Sequence, residues 1–297
     1  MDWGGGRTDL SQGVYGDLVV GDGEPALFLP GAAMPAVAGL SVADALAGRL
    51  RTHMVDLPGG GGSAAIEGRA TWQTVADWAA GYLDGRGIDR AVAIGHSLGA
   101  MCLLALADVH PERVRALVLL DGGYRDLPRL PVGEIGPVAV VTPVVATIEP
   151  LLGPGLLRPF QRFFPPPRVP TGAEADAQAS AWGAVLGSRV DAAYVRRVVV
   201  APAGFSAGSM AVALAMYRAR LARRLAAVRV PTLVAYATWP DRPDAGRGNA
   251  AAIARLRAVR PDIRTAPVAG GHYVHWVDPD GVHAAIRALL DDAQPAG

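Results

Sequence analysis

Short apolar runs alternate with helical patterns of hydrophobic residues along most of this chain. Residues 114–120 form a run of the kind expected in a central strand that is covered on both faces. Residues 72–83 instead place apolar side chains at helical spacing, with Thr71 as an N-cap before them. Because this alternation is typical of βα units, it predicts an α/β fold with a mostly parallel central sheet and helices on both faces.

Turn-forming residues separate the predicted elements from one another. We expect strands at residues 14–20, 26–29, 51–55, 91–94, 114–120, 231–237 and 263–268. We expect helices at residues 72–83, 99–109, 209–227, 249–259 and 280–291.

The alternation fails between residues 122 and 228. Prolines and glycines interrupt the apolar segments there, as in Pro165-Pro166-Pro167. Since regular βα order resumes at residue 231, this region is predicted to be an inserted, mainly helical cap. The predicted organisation is one α/β core, formed by residues 1–121 and 229–297, with a cap insertion at 122–228.

Two Gly-x-Ser-x-Gly pentapeptides occur in the chain, around Ser97 and around Ser206. A serine in this motif between a strand and a helix sits on a sharp turn, where the flanking glycines allow close backbone approach and expose the hydroxyl. Ser97 follows the predicted strand 91–94 and precedes a helix and the strand 114–120, whereas Ser206 lies in the irregular region. The sequence therefore favours Ser97 as a nucleophile and Ser206 as a turn residue.

A serine nucleophile needs a general base, for which His272 is the best-placed histidine. It follows Gly270-Gly271 directly after the predicted strand 263–268, where a loop can bring it over the carboxyl edge of the sheet. His275 shares this segment, but its position three residues later favours packing or a structural hydrogen bond. We therefore expect His272 to activate Ser97.

The acid that orients this base is left open among three aspartates. Asp241 follows the predicted strand 231–237 and satisfies the chain order serine, acid, histidine, so it is the preferred acid. Asp121 ends the strand after the nucleophile helix and can also place a carboxylate behind the imidazole. Asp244, three residues after Asp241, is the third candidate.

An oxyanion formed on acyl attack must meet backbone N–H donors. We expect one donor at Leu98, directly after Ser97 and at the start of a helix whose dipole favours negative charge. The second is expected at Ala32, in the loop after the predicted strand 26–29, where Gly31 lets the chain turn.

The charge balance and the cysteine count exclude several function classes. Arginine and lysine number 28 and acidic residues 27, so no overall field favours nucleic acid or an anionic membrane. Cys102 is the only cysteine, which excludes an intrachain disulfide and a cysteine-rich metal site. Neither a secretory signal nor an apolar run long enough to span a membrane is visible, so we expect a cytoplasmic protein without nucleic-acid or membrane partners.

With these residues identified, the sequence resembles the α/β-hydrolase superfamily, and within it the branch with a helical cap. The resemblance runs through Leu29-Pro30-Gly31, Asp56-Leu57-Pro58-Gly59, the pentapeptide around Ser97 and the segment Gly271-His272-Tyr273-Val274-His275-Trp276. Two positions depart from the family's pattern. Pro30 replaces the usual histidine of the oxyanion loop, and the segment after residue 231 lacks the usual Gly-x-x-Asp. In some relatives the acid follows the preceding core strand, where this chain has Asp121.

The resemblance implies a serine hydrolase that cleaves an ester, thioester or lactone through an acyl-enzyme on Ser97, with neither a cofactor nor a metal. The aromatic residues of the predicted cap favour a small-molecule substrate that is fairly apolar. The residues expected to contact it are His96, Phe160, Phe164, Trp182 and Phe205. The alternative is a non-hydrolytic enzyme with the same fold and triad, such as an acyltransferase, a lyase or a biosynthetic cyclase.

Overall fold

A computed structural model describes residues 6–11, 13–127, 140–163, 170–186, 192–199, 201 and 204–293. The strands in these ranges form one sheet. They are β1 (Gly6–Leu10), β2 (Gly13–Val20), β3 (Glu24–Leu29), β4 (Leu50–Val55), β5 (Ala91–His96), β6 (Val114–Leu120), β7 (Thr232–Ala237) and β8 (Arg264–Val268). Their order across the sheet is β1-β2-β4-β3-β5-β6-β7-β8.

The sheet is mostly parallel, which confirms the predicted fold class. β2 pairs antiparallel with both β1 and β4. Every other pairing, from β4 through β3, β5, β6 and β7 to β8, is parallel. The sequence did not predict β1, because its residues Gly-Arg-Thr-Asp-Leu lack an apolar run. An edge strand pairs on one side only and needs less apolar surface.

Helices flank the sheet and occupy the connection between β6 and β7. They are α1 (Leu40–Ala45), α2 (Trp72–Gly85), α3 (Leu98–Val109), α4 (Thr142–Leu152), α5 (Gly172–Leu186), α6 (Ala192–Val199), α7 (Ala207–Arg218), α8 (Leu221–Ala227), α9 (Pro243–Val259), α10 (Val274–Val277) and α11 (Pro279–Asp292). Shorter 3-10 segments are Ala36–Gly39, Pro111–Arg113 and Pro154–Phe163. In the described part of the chain, no helix is long and apolar enough to cross a membrane.

Two apolar layers enclose the sheet, because successive side chains of a strand point to opposite faces. In β5, Ala93 joins the layer that contains α2 and α3, whereas Val92 and Ile94 join the layer that contains α1 and α11. Leu117 and Val118 of β6 divide between the two layers in the same way. Burial on both faces is the reason that the central strands are recognisable as apolar runs in the sequence.

Two predicted helices differ from the observed ones by more than two residues. α9 starts at Pro243 rather than at the predicted residue 249, since proline is tolerated in the first turn of a helix. The predicted helix 209–227 is divided into α7 and α8. The division follows from Ala219, whose extended backbone (φ −73°, ψ 142°) ends α7.

The connection between β6 and β7 carries helices α4 to α8 and the 3-10 segment Pro154–Phe163 within its described ranges. Helix α7 packs against α4 of the same connection and against α2 and α3, so this connection rests on helices that cover one face of the sheet. The arrangement agrees with a helical insertion. The bounds 122–228 and a separate cap domain stay predictions.

Candidate active site

Ser97 lies at the turn between β5 and α3. Its backbone adopts φ 52° and ψ −115°, a conformation that is rare and costly for a residue with a side chain. An added Cβ at Gly95 would lie 2.5 Å from the Ala100 nitrogen. One at Gly99 would lie 2.1 Å from the Leu29 carbonyl oxygen. The two glycines therefore let the strand turn directly into the helix, with Ser97 at the carboxyl edge of the sheet.

Ser97, His272 and Asp121 form one hydrogen-bonded series. His272 Nε2 lies 2.8 Å from Ser97 Oγ. His272 Nδ1 lies 2.7 Å from Asp121 Oδ2. When Nδ1–H donates to the carboxylate, Nε2 carries no proton and can accept the one on the serine hydroxyl.

Asp121 is held firmly behind His272. It is buried, adopts φ 48°, and its N–H donates to the Ala235 carbonyl at 2.8 Å. Its Oδ1 accepts hydrogen bonds from the Tyr124 hydroxyl and from the Ala237 N–H, each at 3.0 Å. Because both carboxylate oxygens have partners, the carboxylate has one orientation, with Oδ2 directed at the imidazole.

Asp241, the acid that the sequence favoured, lies elsewhere. It is exposed, and no hydrogen bond joins it to His272 in the described part of the chain. Asp244 is also exposed and pairs with Arg247. The geometry therefore corrects the order of preference and puts Asp121, the alternative acid, beside the histidine.

The displacement of Asp241 has a physical cause in the chain after β7. The strand pairing continues beyond Ala237, because the N–H groups of Thr238 and Trp239 donate to the carbonyls of Val268 and Gly270 at 2.9 and 3.0 Å. Trp239 then takes φ 48° and turns the chain toward the surface. The sequence favoured Asp241 because it follows a core strand, and nothing in the sequence indicated that the strand pairing extends beyond Ala237.

Ala32 and Leu98 line the cavity into which Ser97 opens. The loop that carries Ala32 is tied to α3, because the Gly99 N–H donates to the Pro30 carbonyl at 3.0 Å. Among the described residues, neither the Ala32 N–H nor the Leu98 N–H donates a hydrogen bond. For Leu98 this is expected in the first turn of a helix, where N–H groups have no partner within the helix. Both N–H groups therefore belong to residues that line the cavity with Ser97, and no acceptor in the described part of the chain binds them.

Asp56 anchors the loop that carries Ala32, a role that the sequence analysis did not assign. Its Oδ1 accepts the Ala36 N–H at 2.6 Å and its Oδ2 accepts the Gly62 N–H at 2.8 Å. Burial raises the pKa of Asp56 to about 7, against the opposing effect of these two hydrogen bonds. The motif Asp56-Leu57-Pro58-Gly59 of the family resemblance is the sequence signal for this role.

His96 and His275 support His272 from the interior of the protein. His96 Nε2–H donates to the His272 carbonyl at 3.1 Å, and the ring centres of His96 and His275 are 4.8 Å apart. Burial lowers the pKa of His96 well below its ordinary value and that of His275 to about 3. Both rings are therefore neutral near pH 7. Within the described ranges, no group of three or more histidine, cysteine or acidic residues could hold a metal ion.

The second pentapeptide forms the start of a helix. Ser206 is the N-cap of α7, and its hydroxyl accepts the Ser209 N–H at 3.2 Å. Its backbone is extended at φ −76°, without the left-handed strain of Ser97. Ser97 therefore lies on a strained turn between a strand and a helix, whereas Ser206 caps a helix in the connection between β6 and β7, where the sequence indicated an ordinary turn residue.

A cavity of about 480 Å³ opens above Ser97 and His272. Most of its wall is apolar. The apolar side chains that form it include Met34, Met101, Val145, Leu157, Phe205 and Met210. His96 and Phe205, both predicted to contact substrate, thus face this cavity.

Another predicted substrate contact, Trp182, is not among the described residues that line this cavity. Trp182 packs on Tyr273 and Trp276, with ring centres 4.7 and 5.4 Å apart. The side chain of Phe160 and the whole of Phe164 lie outside the described residues. Trp182 therefore supports the segment after His272 rather than the cavity itself.

Comparison with known proteins relates this chain to the alpha/beta hydrolase fold. Residues 27–141 match the family model described as the alpha/beta hydrolase fold. A curated protein, (E)-2-((N-methylformamido)methylene)succinate hydrolase of Acinetobacter baylyi, is 27% identical over 105 residues. That match covers 35% of this chain and 40% of the relative, so the chain matches less than half of that enzyme.

Solved structures match over nearly the full length. The E-2-(acetamidomethylene)succinate hydrolase structure has a TM-score of 0.67 and 21% identity, and covers 97% of this chain and 98% of that one. The enol-lactonase from Burkholderia xenovorans has a TM-score of 0.63 and 20% identity over 96% and 100% of the two chains. The thioesterase domain from the curacin biosynthetic pathway has a TM-score of 0.65 and 17% identity over 97% and 98%. At these identities the likeness demonstrates a common fold.

Proposed function

Because this chain belongs to the α/β-hydrolase superfamily, we propose that it hydrolyses an ester, thioester or lactone through an acyl-enzyme on Ser97. The observation that supports this most directly is the pair of hydrogen bonds that joins Ser97, His272 and Asp121. A hydroxyl, an imidazole and a carboxylate in this order are the groups that nucleophilic acyl transfer requires.

His272 acts as the general base in the first step. Its Nε2, 2.8 Å from Ser97 Oγ, takes the hydroxyl proton as the oxygen attacks the carbonyl carbon. The Asp121 carboxylate stabilises the resulting imidazolium through its 2.7 Å contact with Nδ1. A new bond joins the acyl carbon to Ser97, and the carbonyl oxygen takes up the negative charge.

The N–H groups of Ala32 and Leu98 are the donors that we assign to this oxyanion. They lie in the same cavity as Ser97, and Leu98 adds the positive end of the α3 dipole. A donor of this kind contributes about 3 to 4 kcal/mol to transition-state stabilisation in other acyl transferring enzymes. The hydrogen bonds of Asp56 to Ala36 and Gly62 keep the loop of Ala32 in place.

The intermediate collapses when His272 gives the proton to the leaving group. The bond between the acyl carbon and the leaving atom breaks, and the acyl group stays on Ser97. A water molecule then gives a proton to His272 Nε2 and attacks the acyl carbon. His272 returns this proton to Ser97 Oγ as the bond between the acyl carbon and Ser97 breaks, which releases the acid and restores the serine. The proposed sequence of steps requires neither a metal nor a cofactor.

The cavity wall supports a small-molecule substrate with an apolar part. Val145, Leu157 and Phe205 come from the connection between β6 and β7, which on this proposal acts as a cap over Ser97. The similar proteins named above include hydrolases of succinate derivatives, an enol-lactonase and a thioesterase domain. A cytoplasmic location remains a prediction from the sequence.

A fluorophosphonate probe tests the proposed nucleophile. The probe should modify Ser97 in the wild-type protein, as identified by mass spectrometry of its peptides, and Ser97→Ala should remain unlabelled. Ser206→Ala is the matched control, because it removes the serine of the other pentapeptide and should be labelled like the wild type. Absence of labelling in the wild type, or labelling that persists in Ser97→Ala, would contradict the proposal.

A further inference from the structure

Two arginine side chains line the cavity above Ser97, although most of its wall is apolar. Arg125 lies in the loop after β6, and Arg242 directly precedes α9. Among the described lining residues, Asp121 is the one acidic side chain. Both of its carboxylate oxygens already accept hydrogen bonds, one of them from His272. Within the described part of its lining, the cavity therefore presents two guanidinium groups and one carboxylate whose oxygens already accept hydrogen bonds.

Arg242 is held on the histidine side of the cavity. Its Cζ lies 5.0 Å from the centre of the Trp239 ring, within the range of a cation–π contact. The ring of Trp239 in turn packs on Gly271, where an added Cβ would lie 3.1 Å from Trp239 Cζ3. Since Gly271 precedes His272, this stack keeps the guanidinium near the reacting groups. Stacking uses the face of a guanidinium and leaves the N–H groups in its plane to bind a ligand.

Arg125 lies on the acid side of the site. It follows Tyr124 directly in the chain, and both side chains line the cavity. The Tyr124 hydroxyl donates to Asp121 Oδ1 at 3.0 Å. The second guanidinium is thus placed one position along the chain from a residue that binds the carboxylate beside His272.

We propose that the cavity selects substrates that carry a carboxylate apart from the acyl group to be cleaved, with Arg242 as the main partner of that carboxylate and Arg125 as the second. This inference rests on the proposed function of Ser97 and narrows its substrate class. Guanidinium groups bind carboxylates through paired, charge-assisted hydrogen bonds, which are stronger than neutral ones. A purely apolar substrate would instead displace water from Arg242 without offering its N–H groups an acceptor.

The charge of Asp121 argues for an anion with a single charge. A phosphate monoester carries up to two negative charges near pH 7, and each would be repelled by the carboxylate of Asp121 in the same cavity. A substrate carboxylate carries one negative charge, so Asp121 repels it half as strongly as a doubly charged phosphate. Its planar shape also matches that of a guanidinium. The apolar side chains of the wall then contact the carbon chain between the carboxylate and the scissile acyl group.

A matched pair of substrates tests this selection. The mono-p-nitrophenyl ester of adipic acid carries a free carboxylate, and its methyl ester has the same chain without the charge. The wild-type kcat/KM should be at least about tenfold higher for the acid, as expected for one charge-assisted contact. Arg242→Gln should bring the ratio of the two values close to one. Arg257→Gln is the control, because Arg257 lies exposed on α9, away from the cavity, and should leave the ratio unchanged.

Binding to Ser97→Ala separates this inference from the proposed function. Calorimetric titration of that variant should give tighter binding of the acid than of its methyl ester, and Arg242→Gln on the same background should abolish the difference. Equal binding of the two esters to Ser97→Ala would overturn the inference, even if the probe labels Ser97. A clear preference for the acid would support it even if labelling fails, since this titration does not depend on the chemical step.

Discussion

Asp121 Oδ2 and His272 Nδ1 lie 2.7 Å apart, although 151 positions separate the two residues in the sequence. Asp121 follows β6 and His272 follows β8, and β7 lies between these strands in the sheet. The carboxylate therefore crosses the carboxyl end of β7, where its Oδ1 accepts the Ala237 N–H. This bridge makes the orientation of His272 depend on β6 rather than on the neighbouring strand.

Removing the charge of Asp121 should disable the site, whereas removing that of Asp241 should not. We expect Asp121→Asn to lower the rate of acylation by about 10³- to 10⁴-fold, because asparagine cannot stabilise the imidazolium and favours the other tautomer of His272. Asp241→Asn should change the rate by less than about threefold, since its side chain is exposed. Stopped-flow measurement of p-nitrophenolate release gives both rates, and equal losses in the two variants would contradict the assignment of Asp121.

The hydroxyl of Tyr124 should contribute less than the carboxylate it binds. Tyr124→Phe removes one hydrogen bond to Asp121 Oδ1 and leaves the Ala237 N–H in place, so we expect kcat to fall by about 3- to 10-fold. Tyr236→Phe is the matched control, because its ring centre lies 6.3 Å from that of Tyr124 and no hydrogen bond joins its hydroxyl to Asp121 in the described part of the chain. Equal steady-state rates for Tyr124→Phe and the wild type would exclude this contribution.

The turn at Ser97 should not tolerate a side chain at Gly99. An added Cβ there would lie 2.1 Å from the Leu29 carbonyl oxygen, so the loop or the helix must move. We expect Gly99→Ala to lower the free energy of unfolding by more than about 2 kcal/mol, as measured by urea denaturation. Gly248→Ala in α9 has open space around its Cβ and should be neutral or stabilise by up to about 1 kcal/mol. Equal changes in the free energy of unfolding for the two variants would contradict the close approach at Gly99.

Neutral, buried His275 should make the fold sensitive to acid. Burial lowers its pKa from 6.5 to about 3, so the folded protein keeps this ring neutral where the unfolded chain already protonates it. The unfolded state therefore binds more protons than the folded state below pH 6.5. The contribution of neutral His275 to the stability of the fold is lost as the pH falls from 6.5 toward 3. Urea denaturation of His275→Leu between pH 7 and pH 4.5 should give a shallower loss of stability than the wild type. Parallel curves for the two proteins would contradict this role.

Local constraints allowed several features to be predicted from the sequence. The central strands were recognisable because burial on both faces requires apolar residues at successive positions, as in β5. The turn at Ser97 was recognisable because only glycine fits the close approaches at Gly95 and Gly99. His272 was favoured by the segment around it, which the structure places 2.8 Å from Ser97 Oγ. The sequence did not predict the edge strand β1, because this strand is mostly exposed and has no run of apolar residues.

By itself, the sequence determined the class of fold and the positions of the serine turn and of the histidine segment, because each is specified by neighbouring residues. Only the tertiary structure decided that Asp121 contacts His272, that Asp56 anchors the loop of Ala32, and that Arg242 faces the same cavity as Ser97. These relationships depend on the order of strands in the sheet and on where each loop leaves it. Hydrogen bonds between distant segments fix that geometry, and no local pattern of residues encodes which segments will meet.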